Sequence, residues 1–408
     1  MKILQELLLQ ETEITGGMLQ EYQRLLVEEM LPYQVAIMEQ AGALDTIRRA
    51  AGYRVPERRE KEQPTDVGKL MEAMAYGLML REEPVLRQKL SDIVKLLERV
   101  QYADGYLHPA MQAERPSERF LSLLMSHEMY TLGHYIEGLL ACEGILGDGR
   151  ALRVAKGIGD CLCEWFGKEP GKICGYDGHP EIELALYRLY RCTGEEKYLS
   201  CMRFFVEERG TCGPGHPHFF DWEQERNVRE YGKPVLGELS RWADRHRPFW
   251  GHYEYFQAHR PARQLREPTG HAVRATYFYC GMADLAMETG DKELLEACKS
   301  LWRGFEQGNV ALNGSIGQDG FWEGIGKAYD LPPDYSYNET CAAIGLFLLG
   351  HRMMRLEPDG RYGDQMELSF YNTVLAGTSL DGKHYFYCNP LEVWPDSLYR
   401  YDKMHIQS

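Results

Sequence analysis

The sequence predicts an all-α fold, an (α/α)6 barrel of helical hairpins over residues 1–380, with residues 381–408 opening a C-terminal β segment. Three observations predict it. From about residue 65 onward one phrase recurs: an apolar-periodic helix, a short turn with Gly or Pro, then a second helix. The linkers between phrases are long and rich in Gly, His, Tyr, Asp and Trp, whereas an open α-solenoid stacking the same units has short, plain connections. Near the end the period changes, because TSLDGKHYFYCNPLEV reads as a turn at LDG followed by an aromatic-rich strand.

In chain order, LQEYQRLLVEEMLPYQVAIMEQAG is read as a first helical pair. Five clearer hairpins follow: LMEAMAYGLMLREEPVLRQKLSDIVKLL, HYIEGLLACEGILGDGRALRVAKGIGDCL, EIELALYRLYRCTGEEKYLSCMRFFVEE, VRATYFYCGMADLAMETGDKELLEACKSLW and CAAIGLFLLGHRMMRLEPDGRYGDQMELSFYNTVL. Their turns are EEP, GDG, TGEE, TGDK and EPDG, the punctuation expected between antiparallel helices. The stretch from about 207 to 270 has the weakest periodicity and the highest aromatic and His content, and reads as a functional lid or an insertion. Linkers of this composition gathered at one rim of a barrel suggest a pocket.

Composition narrows the class of ligand. The chain has 408 residues, and 44% hydrophobic content supports a sizeable core. A net charge of −15 and a pI near 5.4 argue against the basic surface of a nucleic-acid binder. No apolar run approaches a bilayer span, and MKILQELLLQETEITGG places Glu and Gln inside what would be a signal core. The expectation is a cytoplasmic protein with reduced cysteines and a small-molecule or oligosaccharide substrate, with no nucleic acid and no membrane among its partners.

Three histidines share one context, each lying just before a helix that opens a hairpin: His127 in SHEMYTLGH, His179 in GYDGHPEIELAL and His271 in PTGHAVRATY. Each alone reads more readily as a hydrogen-bonded structural residue. Three at equivalent positions of successive repeats read as groups that meet sugar hydroxyls or a metal. Glu323, in the Gly- and aromatic-rich loop GSIGQDGFWEGIGKAYDLPPDY, is a carboxyl whose pKa such a loop can raise, as a general acid needs, although composition alone makes it a surface Glu. Glu339 and Cys341 in YNETCAAIGLFLLGHRMM reach a common point only from a loop or first helical turn. They read either as two ligands of a zinc site or as a capping Glu and a core Cys.

Together the motifs resemble glycoside hydrolase family 127, whose characterised activity is β-L-arabinofuranosidase. The resemblance runs from about residue 18 to 400, through YQRLLVEEMLPYQ, DVGKLMEAMAYGL with QYADGYLHP, HEMYTLGHYIEG, GHPEIELALYRLYRCTGEEKYL, QAHRPARQ with GHAVRA, and NETCAAIGLFLLGHRMMRLEPDGRYGDQMELSFYNTVLAGTSLDGKHYFYCNPLEV. It implies a catalytic (α/α)6 barrel followed by β-sandwich domains, which removes a terminal β-L-arabinofuranosyl unit with retention. It implies a zinc-bound cysteine thiolate as nucleophile and a Glu as acid/base. Carried over by motif, Glu323 is the acid/base, Glu339 and Cys341 are two zinc ligands, His127, His179 and His271 grip the sugar, and Tyr387 in YFYCNPL belongs to the pocket.

The family places an adjacent Cys-Cys pair shortly after the NPLEV stretch, and this sequence reads YRYDKMHIQS there. The expectation is therefore a chain truncated before the nucleophile and the β-sandwich domains, with weak zinc binding and impaired or absent turnover as it stands. Cys388 does not match the nucleophile position. Two other classes fit the same features: a non-catalytic carbohydrate-binding barrel, and a metal-free (α/α)6 enzyme such as an unsaturated-uronide hydrolase.

Overall fold

The computed structural model describes residues 9–56, 65–213, 216–236, 252–320 and 323–392. The all-α, (α/α)6-barrel fold class is the one found, with 64% helix and 4% strand. The chain forms two compact units, one of Leu7–Phe205 with Cys212–Arg245, the other of Met1–Glu6, Val206–Thr211 and His246–Ser408. Residues 237–251, part of the expected lid or insertion, and residues 393–408, most of the expected β segment, lie outside the described residues.

In the first unit the helices of eight or more residues are α1 (Gly17–Leu25), α2 (Leu31–Ala41), α3 (Ala43–Ala50), α4 (Thr65–Leu80), α5 (Pro84–Val100), α6 (Glu128–Leu146), α7 (Arg150–Trp165), α8 (Ile182–Thr193), α9 (Glu196–Glu208, whose last turn enters the second unit) and α10 (Phe219–Tyr231). The second unit holds α11 (Ala272–Thr289), α12 (Lys292–Gly308), α13 (Thr340–Leu356) and α14 (Gly360–Ser369). The five expected hairpins are α4–α5, α6–α7, α8–α9, α11–α12 and α13–α14.

Each hairpin turn follows from its residues. Gly147, Gly194 and Gly290 end α6, α8 and α11 with φ of 61°, 70° and 67°, a left-handed cap that costs a side-chain-bearing residue about 1 kcal/mol. Asp291 then caps α12 by accepting the Leu294 N–H at 3.0 Å.

The two helices of a hairpin differ in how they bury. In α11 nearly every residue from Ala272 to Met287 is buried. Its partner α12 buries Leu294, Ala297, Cys298, Leu301, Trp302 and Phe305, one stripe at helical spacing. The same contrast separates α6 from α7, whose buried stripe is Ala151, Val154, Ala155, Ile158 and Leu162. Helices α4 and α6 touch backbone to backbone, since a Cβ added at Gly138 would lie 2.5 Å from the Gly68 carbonyl oxygen.

One local expectation is corrected. The N-terminal segment is not a hairpin: α1 runs through a π turn at Leu26–Met30 into α2, where the Leu31 N–H bonds back to the Leu26 carbonyl. Pro32 lies just after the π turn, and the run ends only at Gly42, φ 90°. The stretch 207–270 contains α10, whose buried face is polar, comprising Glu223, Arg226 and Asn227 beside Phe219 and Phe220. Glu223 accepts the Leu123 and Leu124 N–H groups at 2.6 and 3.0 Å, and Asn227 donates to the Leu121 carbonyl. A hydrogen-bonded face of this kind leaves no apolar stripe to read.

None of the eleven cysteines is in a disulfide, and Cys142, Cys161, Cys201, Cys280, Cys298 and Cys388 are buried. Among the described residues no helix is long and apolar enough to cross a membrane.

Candidate active site

Four segments of the second unit converge. Gly270–His271 pairs antiparallel with Gly324–Ile325, with His271 opposite Gly324. The Tyr337–Thr340 stretch lies against Phe386–Asn389, with the Thr340 N–H on the Tyr387 carbonyl at 3.0 Å and the Asn389 N–H on the Tyr337 carbonyl at 3.2 Å. The Glu339–Cys341 spacing resolves as expected: Glu339 is the extended N-cap residue of α13 and Cys341 lies in its first turn.

Glu323 takes a left-handed backbone, φ 51°, and is pinned by the Ala272 N–H on its carbonyl at 3.0 Å. Its side chain accepts two donors. His271 Nε2 lies 3.1 Å from Oε2, and the Tyr337 hydroxyl donates to Oε1 at 3.2 Å. The tautomer follows from the helix cap, because His271 Nδ1 accepts the Arg274 N–H at 3.3 Å, so the ring proton sits on Nε2 and points at Glu323.

This geometry overturns the expected elevation of the Glu323 pKa. Burial does push the carboxyl up, but the His271 and Tyr337 hydrogen bonds and the Arg274 charge outweigh it and hold the group below the usual carboxylate range. The loop that partly desolvates Glu323 also brings it two donors.

Glu339 is different. It is 4% exposed, and burial together with the Glu323 charge raises its pKa against the pull of His271, Cys341 and Tyr387. The Cys341 thiol and the Tyr387 hydroxyl both hydrogen-bond its carboxyl, yet its Oε2 is buried without a hydrogen-bond partner. An orphaned carboxylate oxygen beside a half-buried thiol is a donor pair that suits zinc. His271, Glu323 and Glu339 also bring one donor atom each within 4.8 Å of one another. Since His271 Nε2–H is already directed at Glu323, Glu339 with Cys341 is the better ligand pair. Cys388 is fully buried against Tyr337 and Tyr387, and burial pushes its thiol pKa up, which suits a packing residue.

His127 and His179 meet in the first unit, with ring centroids 5.4 Å apart. His127 has φ 52° between the short helix Leu123–Ser126 and α6, and its Nδ1 lies 3.1 Å from the Met125 carbonyl. His179 Nδ1 lies 2.9 Å from the Pro180 carbonyl. A carbonyl only accepts, so both rings carry their proton on Nδ1 and present Nε2 as an acceptor, the tautomer opposite to that of His271.

Sequence reasoning missed Tyr337, Arg274 and Asp177. Asp177 accepts the His179 N–H at 2.7 Å and the Met129 N–H at 2.8 Å, tying the His179 loop to the start of α6. Its signal was present, since D-G-H at 177–179 is the Asx-turn pattern that folds a carboxylate onto the N–H two residues later.

The curated non-reducing end β-L-arabinofuranosidase of Bifidobacterium longum subsp. longum is 39% identical over 354 residues, covering 85% of this chain and 51% of its own length. The crystal structure of a GH127 β-L-arabinofuranosidase from Geobacillus stearothermophilus T6 superposes with a TM-score of 0.88 at 37% identity, covering 97% of this chain and 61% of that one. A second GH127 β-arabinofuranosidase structure gives 0.78 at 30% identity, covering 93% and 56%. The chain thus spans between half and two thirds of the length of these relatives. A sequence model of the β-L-arabinofuranosidase GH127 catalytic domain matches residues 12–406, and the chain belongs to that family.

Proposed function

We propose that this chain is the catalytic domain of a retaining glycoside hydrolase that removes terminal β-L-arabinofuranosyl units from an oligosaccharide or small glycoside. The observation that carries the proposal is the Glu339–Cys341 pair at the first turn of α13, beside a Glu323 carboxylate oriented by two donors. Glu323 is ionised in the free protein, so it first takes up a proton from solvent as the sugar binds, delivers it to the glycosidic oxygen and later takes one from the attacking water. His271 Nε2–H and the Tyr337 hydroxyl fix the direction of its carboxylate. In the second unit His271, as donor, and Tyr387 bind sugar hydroxyls beside Glu323, and in the first unit His127 and His179 are sugar-binding residues that act as acceptors. Glu339 and Cys341 would hold zinc, which when bound supplies Lewis acidity and lowers the pKa of a coordinated thiol. No two cysteines are adjacent in the 408 residues, and Cys388 is not the nucleophile, so we propose that these residues alone turn over poorly.

The test is a panel of para-nitrophenyl glycosides given to the natural protein with its metal. Cleavage of the β-L-arabinofuranoside but not of its α-anomer, with the first-formed product keeping its anomeric configuration by NMR, is the expected result, abolished by a chelator and restored by zinc. Chelator-insensitive cleavage of an unsaturated uronide would overturn the reading, and sugar binding without turnover would favour a carbohydrate-binding role.

A further inference from the structure

His134 and Glu137 of α6 and Glu181 at the start of α8 meet inside the first unit, and nothing above uses them. His134 and Glu137 stand i, i+3 apart, so both project from one face of α6, a spacing that sets imidazole and carboxylate on a common ion in helical bundles. Glu181 is the N-cap residue of α8. Its side chain lies against α6 where the helix lacks a Cβ, since one added at Gly133 would come within 2.6 Å of Glu181 Cγ. His134 Nδ1 is 3.4 Å from Glu181 Oε1, and one donor atom from each of the three residues lies within 4.8 Å of the others.

The surroundings favour a cation. The side chains of His134, Glu137 and Glu181 are 7%, 13% and 1% exposed. Glu181 Oε1 is buried without a hydrogen-bond partner. Two cations face the cluster: Arg188 bridges Glu72 and Glu137 at 2.6 and 3.3 Å, and the Lys69 charge acts on both Glu181 and His134. With Asp66, which pairs with Lys69 at 3.5 Å, four carboxyls stand against these two cations and leave negative charge over, in a place where an unbalanced charge is costly. Without an ion, a proton balances it: burial, then the neighbouring Glu137 and Glu72, hold the Glu181 carboxyl well above the usual range. Burial also keeps His134 neutral, which is the form of imidazole that ligates.

We infer that His134, Glu137 and Glu181 form a further divalent-cation site, of the zinc or manganese class, made of one imidazole and two carboxylates. On binding, the ion takes the place of the Glu181 proton, which leaves to solvent, and it ties the start of α8 to α6. His179 lies two residues before Glu181, and Tyr130, whose ring sits 4.3 Å from that of His179 and 4.5 Å from that of His134, lies one turn before His134. The ion would therefore brace the loop carrying His179. One imidazole with two carboxylates and open positions is a donor set that zinc and manganese both accept.

The test removes the Glu339–Cys341 pair first. The E339Q/C341S variant is incubated with zinc or manganese chloride, gel-filtered into metal-free buffer, and analysed for bound metal and melting temperature. About one equivalent of metal and a raised melting temperature are expected, with affinity falling roughly tenfold or more when His134→Ala or Glu181→Gln is added. Circular dichroism verifies folding, and the near-isosteric Glu137→Gln and Glu181→Gln variants stand in if His134→Ala does not fold. No metal retained by E339Q/C341S, or retention indifferent to both Glu181→Gln and Glu137→Gln, would overturn the inference.

Discussion

Replacing Glu323 by Gln is a clean perturbation because the structure says how the amide would sit. His271 Nδ1 is committed to the Arg274 N–H, so Nε2 stays a donor and selects the Gln carbonyl oxygen. That leaves the Gln NH2 toward Tyr337, whose hydroxyl can rotate and accept. Both contacts survive as neutral hydrogen bonds, each worth about 1 kcal/mol rather than the 1.5–3 kcal/mol of a bond to a charge. The loss is limited because the side chain is 38% exposed, which screens its interactions with the charge. The net stability change should lie within about 1 kcal/mol. Catalysis should not survive as well: loss of the proton-transferring group predicts a roughly 10²- to 10⁴-fold fall in kcat. The fall should be larger for an alkyl arabinofuranoside than for a para-nitrophenyl one, since nitrophenolate leaves with little help from an acid. Sugar affinity by calorimetry, the melting temperature and kcat on both substrates check this in the natural protein. A folded Gln variant whose kcat stays within about tenfold of wild type on the alkyl substrate would refute the assignment of Glu323.

Two further outcomes follow from the first unit. Asp177→Asn turns an NH2 toward one of the two N–H groups the carboxylate now accepts, so the cost should be about 1–3 kcal/mol, read as a lower urea midpoint together with weaker sugar binding through His127 and His179; an unchanged midpoint would contradict it. His108 is fully buried, and its pKa is pushed down by burial, then by Arg115, to about 4 from 6.5. Between those values the unfolded chain binds a proton that the folded chain refuses, so stability is complete above pH 6.5 and falls by about 3 kcal/mol as pH drops to 4. His108→Asn, which can still cap the Met111 N–H without titrating, should flatten that slope in urea titrations at pH 7 and 5, and an unaltered slope would show that His108 is not its source.

The hairpins were legible because their chemistry is local. Apolar residues at helical spacing and a left-handed Gly after the last turn specify α6–α7, α8–α9 and α11–α12 without reference to distant residues. What escaped depends on residues far apart in sequence. Helix α10 buries Glu223 and Asn227 because Leu121, Leu123 and Leu124, about a hundred positions earlier, offer backbone groups to bond, so its buried face cannot be recognised from its own residues. At the site, the placement of Glu339 and Cys341 was readable from their spacing. The state of Glu323 was not, since Gly-rich composition announces desolvation but carries no sign of the His271 and Tyr337 donors that reverse its effect. Phe386–Asn389 was read as aromatic strand, but its partner, the stretch leading into α13, came only from the fold.

That pairing has a consequence in time. Thr340 bonds Phe386 across 46 residues, and the whole α13–α14 hairpin lies between them. A chain leaving the ribosome can make His271, Glu323, Glu339 and Cys341 and still lack Tyr387. Bringing the ends of so long a segment together is entropically costly for a flexible chain, and pairing α13 with α14 pays most of that cost beforehand by folding the segment back on itself. The pocket is therefore completed only after α14 has been made, and this helical hairpin acts as the clasp whose closure determines when Tyr387 joins the carboxylates and the thiol.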